Sequence, residues 1–123
     1  MKFIFFLSVT ILGSSAARAS APDISCINHI SEDVAIKVEI FYSTNTSATS
    51  DIKYSQDSGL TWNVYCDSTG PMTVTGPQPV VIEGNFHCND NSNIAATMTY
   101  DSTKKTLQIS QTNKSGYQLY QCE

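Results

Sequence analysis

Residues 34–42 alternate without a break: Val34, Ile36, Val38, Ile40 and Tyr42 fall on one side of an extended chain, Ala35, Lys37 and Glu39 on the other. A period of two marks a half-buried β-strand. The pattern recurs at 80–88, with Val80, Ile82, Phe86 and Cys88 facing one way, at 94–100, with Ile94, Ala96, Met98 and Tyr100, and at 106–110, with Leu107 and Ile109. Shorter candidates are 24–30, 51–55, 60–66, 72–75 and 117–122. In the run 60–66, Leu60, Trp62, Val64 and Cys66 share a face, which leaves Tyr65 opposite them. Clusters of Ser, Asp, Asn, Gly and Pro separate these runs, and residues 43–50 read as a polar loop. Gly84 inside a strand pattern predicts a bulge or close packing under a large neighbour such as Trp62. No amphipathic helical run follows residue 19. Nine short strands predict an all-β fold, a small antiparallel β-sandwich or barrel-like meander.

The chain starts with a different kind of segment. Met1-Lys2 is a short positive start, residues 3–13 are mostly apolar, and Ala17-Arg18-Ala19 fits a small-x-small cleavage site. This predicts a signal peptide over 1–19 and a single all-β domain over 20–123. The apolar run is shorter than the ~20 residues of a spanning helix, and no later stretch is long or apolar enough, so no membrane insertion is expected after cleavage. Lys2 and Arg18 leave with the signal. Five lysines then face eleven acids, a net charge of −6 that disfavours nucleic acid and anionic lipid.

All four cysteines, Cys26, Cys66, Cys88 and Cys122, lie in the exported part. An even count in an exported chain predicts two disulfides, with three pairings open, and a secreted or periplasmic location. The alternative, a four-cysteine zinc site, lacks any CxxC pair, so no metal or other cofactor is expected.

The stretch Ser55-Gln56-Asp57-Ser58-Gly59-Leu60-Thr61-Trp62 reads as a turn on residue chemistry alone. Asp57 and Ser58 return side-chain oxygens to nearby N–H groups, and Gly59 takes a positive φ without steric cost. Strand formers flank it, which predicts a β-hairpin turning near residues 56–59. The spacing also resembles the Asp-box, the Ser-x-Asp-x-Gly-x-Thr-Trp signature of sialidases and other BNR-repeat proteins, with Ser55, Asp57, Gly59, Thr61 and Trp62 at its defined positions. The resemblance covers this stretch only. It implies a hairpin in which the Asp bonds the turn backbone and the Trp packs beneath, away from any catalytic centre, and it suggests a link to sugars. A single box does not make a propeller, whose blades take ~40–45 residues each.

Catalytic chemistry finds little support. Sialidases grip their substrate carboxylate with arginines, and residues 20–123 contain none. His29 and His87 would form an acid–base pair only if folding joined them. Among the glutamates, Glu39 and Glu83 would have to meet to act as a glycosidase pair. No G-x-S-x-G elbow supports a serine nucleophile. The loop at residues 89–93 offers hard oxygen ligands around Asp90, but lacks the glycine and downstream glutamate of an EF-hand. Tyrosines beside Asn and Gln suit a sugar or a protein partner, and Tyr65, Tyr117 and Tyr120 are the candidate binding residues. The reading is therefore a small exported binding protein, not an enzyme, that engages or inhibits a protein partner in the cell envelope. The alternative is a carbohydrate-binding module.

Overall fold

Nine strands carry the chain through the computed structural model, which describes residues 21–123. The expected signal peptide at 1–19 lies outside the described residues. The strands are β1 (Ile24–His29), β2 (Ala35–Thr44), β3 (Ser47–Ser55), β4 (Asn63–Ser68), β5 (Met72–Thr75), β6 (Val80–Cys88), β7 (Asn93–Asp101), β8 (Thr106–Gln111) and β9 (Gln118–Cys122). Every pairing is antiparallel. No helix among the described residues is long and apolar enough to cross a membrane.

The strands form a closed ring. β4 pairs with β6 through Cys66↔Cys88, Asp67↔His87 and Ser68↔Phe86. β5 continues along the same strand through Thr73↔Glu83, Val74↔Ile82 and Thr75↔Val81. The two are halves of one stave, broken at Thr69–Pro71, and both also pair with β3. With β4 and β5 counted together, each stave neighbours the next in sequence, and β9 returns to β1. Of the two expected architectures, the structure is the barrel: an eight-stave up-and-down meander.

Alternation fills this ring. The even-numbered side chains of β2, Val38 and Ile40, point inward with Met72, Ile82, Phe86, Met98 and Leu107 from around the wall, all fully buried. An eight-stranded barrel has an interior just wide enough for side chains to fill, and small residues make room for large ones. Ala48 and Ser50 of β3 are buried inward, and the Ser50 hydroxyl donates to the Glu39 carbonyl oxygen at 2.9 Å. The polar loop expected at residues 43–50 is thus mostly strand. Its inward residues are too small to produce a hydrophobic signal, and the β2–β3 connection shrinks to Asn45-Thr46.

Gly84 is a close-approach site, as expected, but the neighbour is Met72 rather than Trp62. A Cβ at Gly84 would come within 2.7 Å of Met72 Cγ.

The cysteines pair as Cys26–Cys122 and Cys66–Cys88. Each joins residues directly opposite one another on neighbouring strands. The first closes the ring where β1 and β9 share only two registered pairs, Cys26↔Cys122 and Ile27↔Gln121. The second ties β4, just before the break at Thr69–Pro71, to β6.

Two outcomes follow for urea unfolding. Bridging positions 96 apart restricts the unfolded chain by about 4–5 kcal/mol, and bridging positions 22 apart by about 3 kcal/mol. Cys26→Ala/Cys122→Ala is therefore expected to cost about 1 kcal/mol more stability than Cys66→Ala/Cys88→Ala. Gly84→Ala is expected to cost about 1–3 kcal/mol by overpacking against Met72.

Candidate functional site

The connections β1–β2, β3–β4, β6–β7 and β8–β9 all lie at one end of the barrel. At this end the packing gives way to a cleft of about 560 Å³. Its lining includes Ile36 of β2, Ile52 and Tyr54 of β3, Tyr65 of β4, and Asn89 and Asp90 from the β6–β7 loop. A second cavity of about 250 Å³ shares Ile36, Ile52 and Tyr65 with it and reaches inward to Phe86 and Tyr120. Below Ile27↔Gln121, β1 and β9 share no registered pair, so the wall also parts at this end.

A β-bulge places Tyr65 here. Ile52 pairs with Cys66, but the next residue, Lys53, pairs with Val64, so Tyr65 is the extra residue on β4. A bulge resets which residues face inward. Regular alternation predicts Val64 on the Cys66 face and Tyr65 opposite. Instead Val64 pairs with the outward Lys53, and Tyr65 lines both cavities. Its ring meets Tyr54 edge-on, with centroids 6.3 Å apart. Two bonds hold the β6–β7 loop to this bulge: Asn89 N–H donates to the Tyr65 carbonyl at 2.9 Å, and Asn89 Nδ2 donates to the Val64 carbonyl at 2.8 Å. The Cys66–Cys88 bridge sits one residue from both Tyr65 and Asn89.

The three candidate tyrosines do not share a surface. Tyr65 is in the cleft. Tyr117 is exposed in the β8–β9 connection at the same end. Tyr120 points into the core, 3% exposed, with its hydroxyl 3.1 Å from Gln118 Oε1. Burial pushes its phenol pKa up. Tyr120 is thus a floor residue of the inner cavity and not a surface contact.

Residues 55–62 form a hydrogen-bonded loop on the outside of β2 and β3. Ser55 Oγ accepts from Gly59 N–H at 2.8 Å, and Asp57 Oδ1 accepts from Thr61 N–H at 2.9 Å. The Thr61 hydroxyl donates to Asp57 Oδ2 at 2.6 Å. Gly59 has φ +89°. These bonds hold Asp57 ionised, with a pKa near 2. Because Asp57 takes the Thr61 N–H, residues 60–62 do not join the ladder, and β4 starts at Asn63 instead of Leu60 as expected. Trp62 lies in the loop with Lys37 Nζ 4.4 Å from its ring centroid. Ser58 N–H donates to the Asp33 carbonyl at 3.0 Å, which joins this loop to the β1–β2 turn.

The remaining candidates stay apart. His29 ends β1 and His87 lies on β6, on opposite sides of the ring. Glu39 forms an ion pair with Lys53 at 2.6 Å, and Glu83 on β6 accepts from Thr97 at 3.4 Å. Among the described residues, no group of three His, Cys, Asp or Glu side chains is arranged to hold a metal ion. Comparison of the chain with family models, curated proteins and solved structures finds no match.

One electrostatic feature lies on the outer wall. The register aligns Glu39, Asp51, Asp67 and His87 across four staves. Burial, a hydrogen bond to Asp67 and the Asp67 charge push the Asp51 carboxyl up to about 6, against the opposing pull of Lys53. The folded chain therefore binds more protons than the unfolded chain between about pH 4 and 6, so this contribution is present at the acid end of that window and is lost as pH rises through it. Asp57, Asp90 and Asp101 are shifted down, so their contribution is lost as pH falls below about 4. The expected melting temperature rises from pH 7 toward pH 5, then falls under pH 4. Asp51→Asn should flatten only the arm above pH 4, which a series of thermal melts would read directly.

Proposed function

We propose that this chain is an exported binding protein, secreted or periplasmic, that docks on a protein partner through the open end of its barrel and inserts a partner side chain into the cleft. The observation that carries this reading is an asymmetry. Of the seven exposed large apolar side chains among the described residues, Ile30, Leu60, Val64, Tyr65 and Tyr117 belong to the cleft end. Tyr65 lines the cleft itself, and apolar exposure gathered at one end of a fold is what a protein interface presents. The loops of this end also carry Glu32, Asp33, Asp57 and Asp90 against Lys114, which favours a partner with a basic surface. The two disulfides fit an oxidising compartment. Occupation of the partner's surface in this way would engage or inhibit it.

The second reading, a carbohydrate-binding module, draws on the Tyr54 and Tyr65 rings beside Gln56 and Asn89, a combination suited to stacking and bonding a sugar ring.

The test uses the oxidised protein as bait in envelope and culture extracts, beside a Tyr65→Ala bait and a Tyr42→Ala bait. Tyr42 is exposed at the far end of the barrel. The expected result is one stoichiometric partner, whose affinity falls about 10- to 100-fold with Tyr65→Ala and is unchanged with Tyr42→Ala. Equal retention by all three baits would place the interface elsewhere. Capture of glycans alone, sensitive to Tyr65→Ala, would transfer the cleft to the second reading.

A further inference from the structure

We infer that the side chain this cleft receives is an arginine, held with its methylene stem on the apolar floor and its guanidinium at the rim; the inference rests on the protein-docking reading above.

The rim has unused hydrogen-bonding capacity. Asn89 spends its Nδ2 on the Val64 carbonyl, and its Oδ1 has no partner among the described residues. Asp90 Oδ1 accepts from Ser92 N–H at 3.0 Å and from the Ser92 hydroxyl. This fixes the carboxylate, while Oδ2 has no partner among the described residues. The rim therefore offers two acceptors on adjacent residues. An occupant that donates, and does not accept, completes it. The guanidinium group has five N–H donors and no acceptor.

The shape of the cleft suits the same side chain. Val34, Ile36 and Ile52 give the floor an apolar surface, which suits a three-methylene stem. The perpendicular Tyr54 and Tyr65 rings flank the same space. A planar cation stacks on such rings, whereas a lysine ammonium lacks the flat face and the fork. Asn89 and Asp90 are exposed at the rim, so a purely apolar anchor would leave their free acceptors to water and gain nothing from them, whereas a guanidinium gains charge-assisted bonds there.

The charge around the mouth favours a cation. Lys53 also lines the cleft, but its ammonium is tied to Glu39 at 2.6 Å. The loops around the mouth are predominantly acidic, as described above.

The test is a chemical-shift titration of the oxidised, isotope-labelled protein with three Nα-acetyl methylamides: arginine, its neutral isostere citrulline, and norleucine. The expected result is perturbation of the Tyr65, Asn89 and Asp90 amides by the arginine probe, at least fivefold tighter than by citrulline. That preference should disappear in Asp90→Asn, where the amide can still accept from Ser92. Equal or tighter binding of norleucine or citrulline at the same amides overturns the arginine assignment and leaves the cleft as an anchor site. No perturbation of these amides by any probe overturns both.

Discussion

Closure of the ring at the β1–β9 seam is the constraint on which the rest of this barrel depends. Every other neighbouring pair of staves is joined by a short connection, so its pairing is local and low in entropic cost. The seam joins positions 96 apart in sequence and has only two registered residue pairs. The Cys26–Cys122 bond makes one of those pairs covalent. With the seam shut, no full-length strand edge is left for aggregation or swapping, and side chains from all staves share one interior. A chain of this size has a limited core, and this one adds both disulfides to it, all four cysteines being buried within the barrel or packed against its core.

The second bridge acts on a different scale. Cys66–Cys88 ties β4, the first half of the split stave, to its neighbour β6, next to the bulge that turns Tyr65 toward the lumen. The same few residues hold the β6–β7 loop, through Asn89, against the bulge. Covalent bond, bulge and loop bonds converge on one wall of the cleft. The wall is therefore preorganised, and a preorganised wall lowers the ordering cost of binding. The opposite edge of the mouth, where β1 and β9 part, has no such reinforcement.

Much of the fold was legible in the residues because strand periodicity is a local property. The uninterrupted alternation of residues 34–42 and 94–100 identified inward faces that the barrel keeps, and Gly84 signalled close approach. Where the reading failed, the cause was also physical. Residues 47–50 are strand, but Ala48 and Ser50 are small because Met72 and Ile40 need the space, so no apolar pattern announces them. Residues 60–62 look like strand, but the Asp57 carboxylate captures the Thr61 N–H that a ladder would use. Val64 and Tyr65 exchange faces because a single bulge shifts the register, and a bulge leaves no mark in a two-residue period.

By itself the sequence determined most of the strands and the turns between them, the even set of cysteines, and the acidity of residues 20–123 and their lack of arginine. These follow from composition and from spacing within a few residues. Only the tertiary structure decided that the strands close into a barrel, which cysteines are partners, and that Tyr65 joins Ile36, Ile52 and Asp90 while Tyr120 faces inward. Each of these depends on which distant strands lie side by side and in what register. Register is set by packing around the whole ring, and no single segment carries that information.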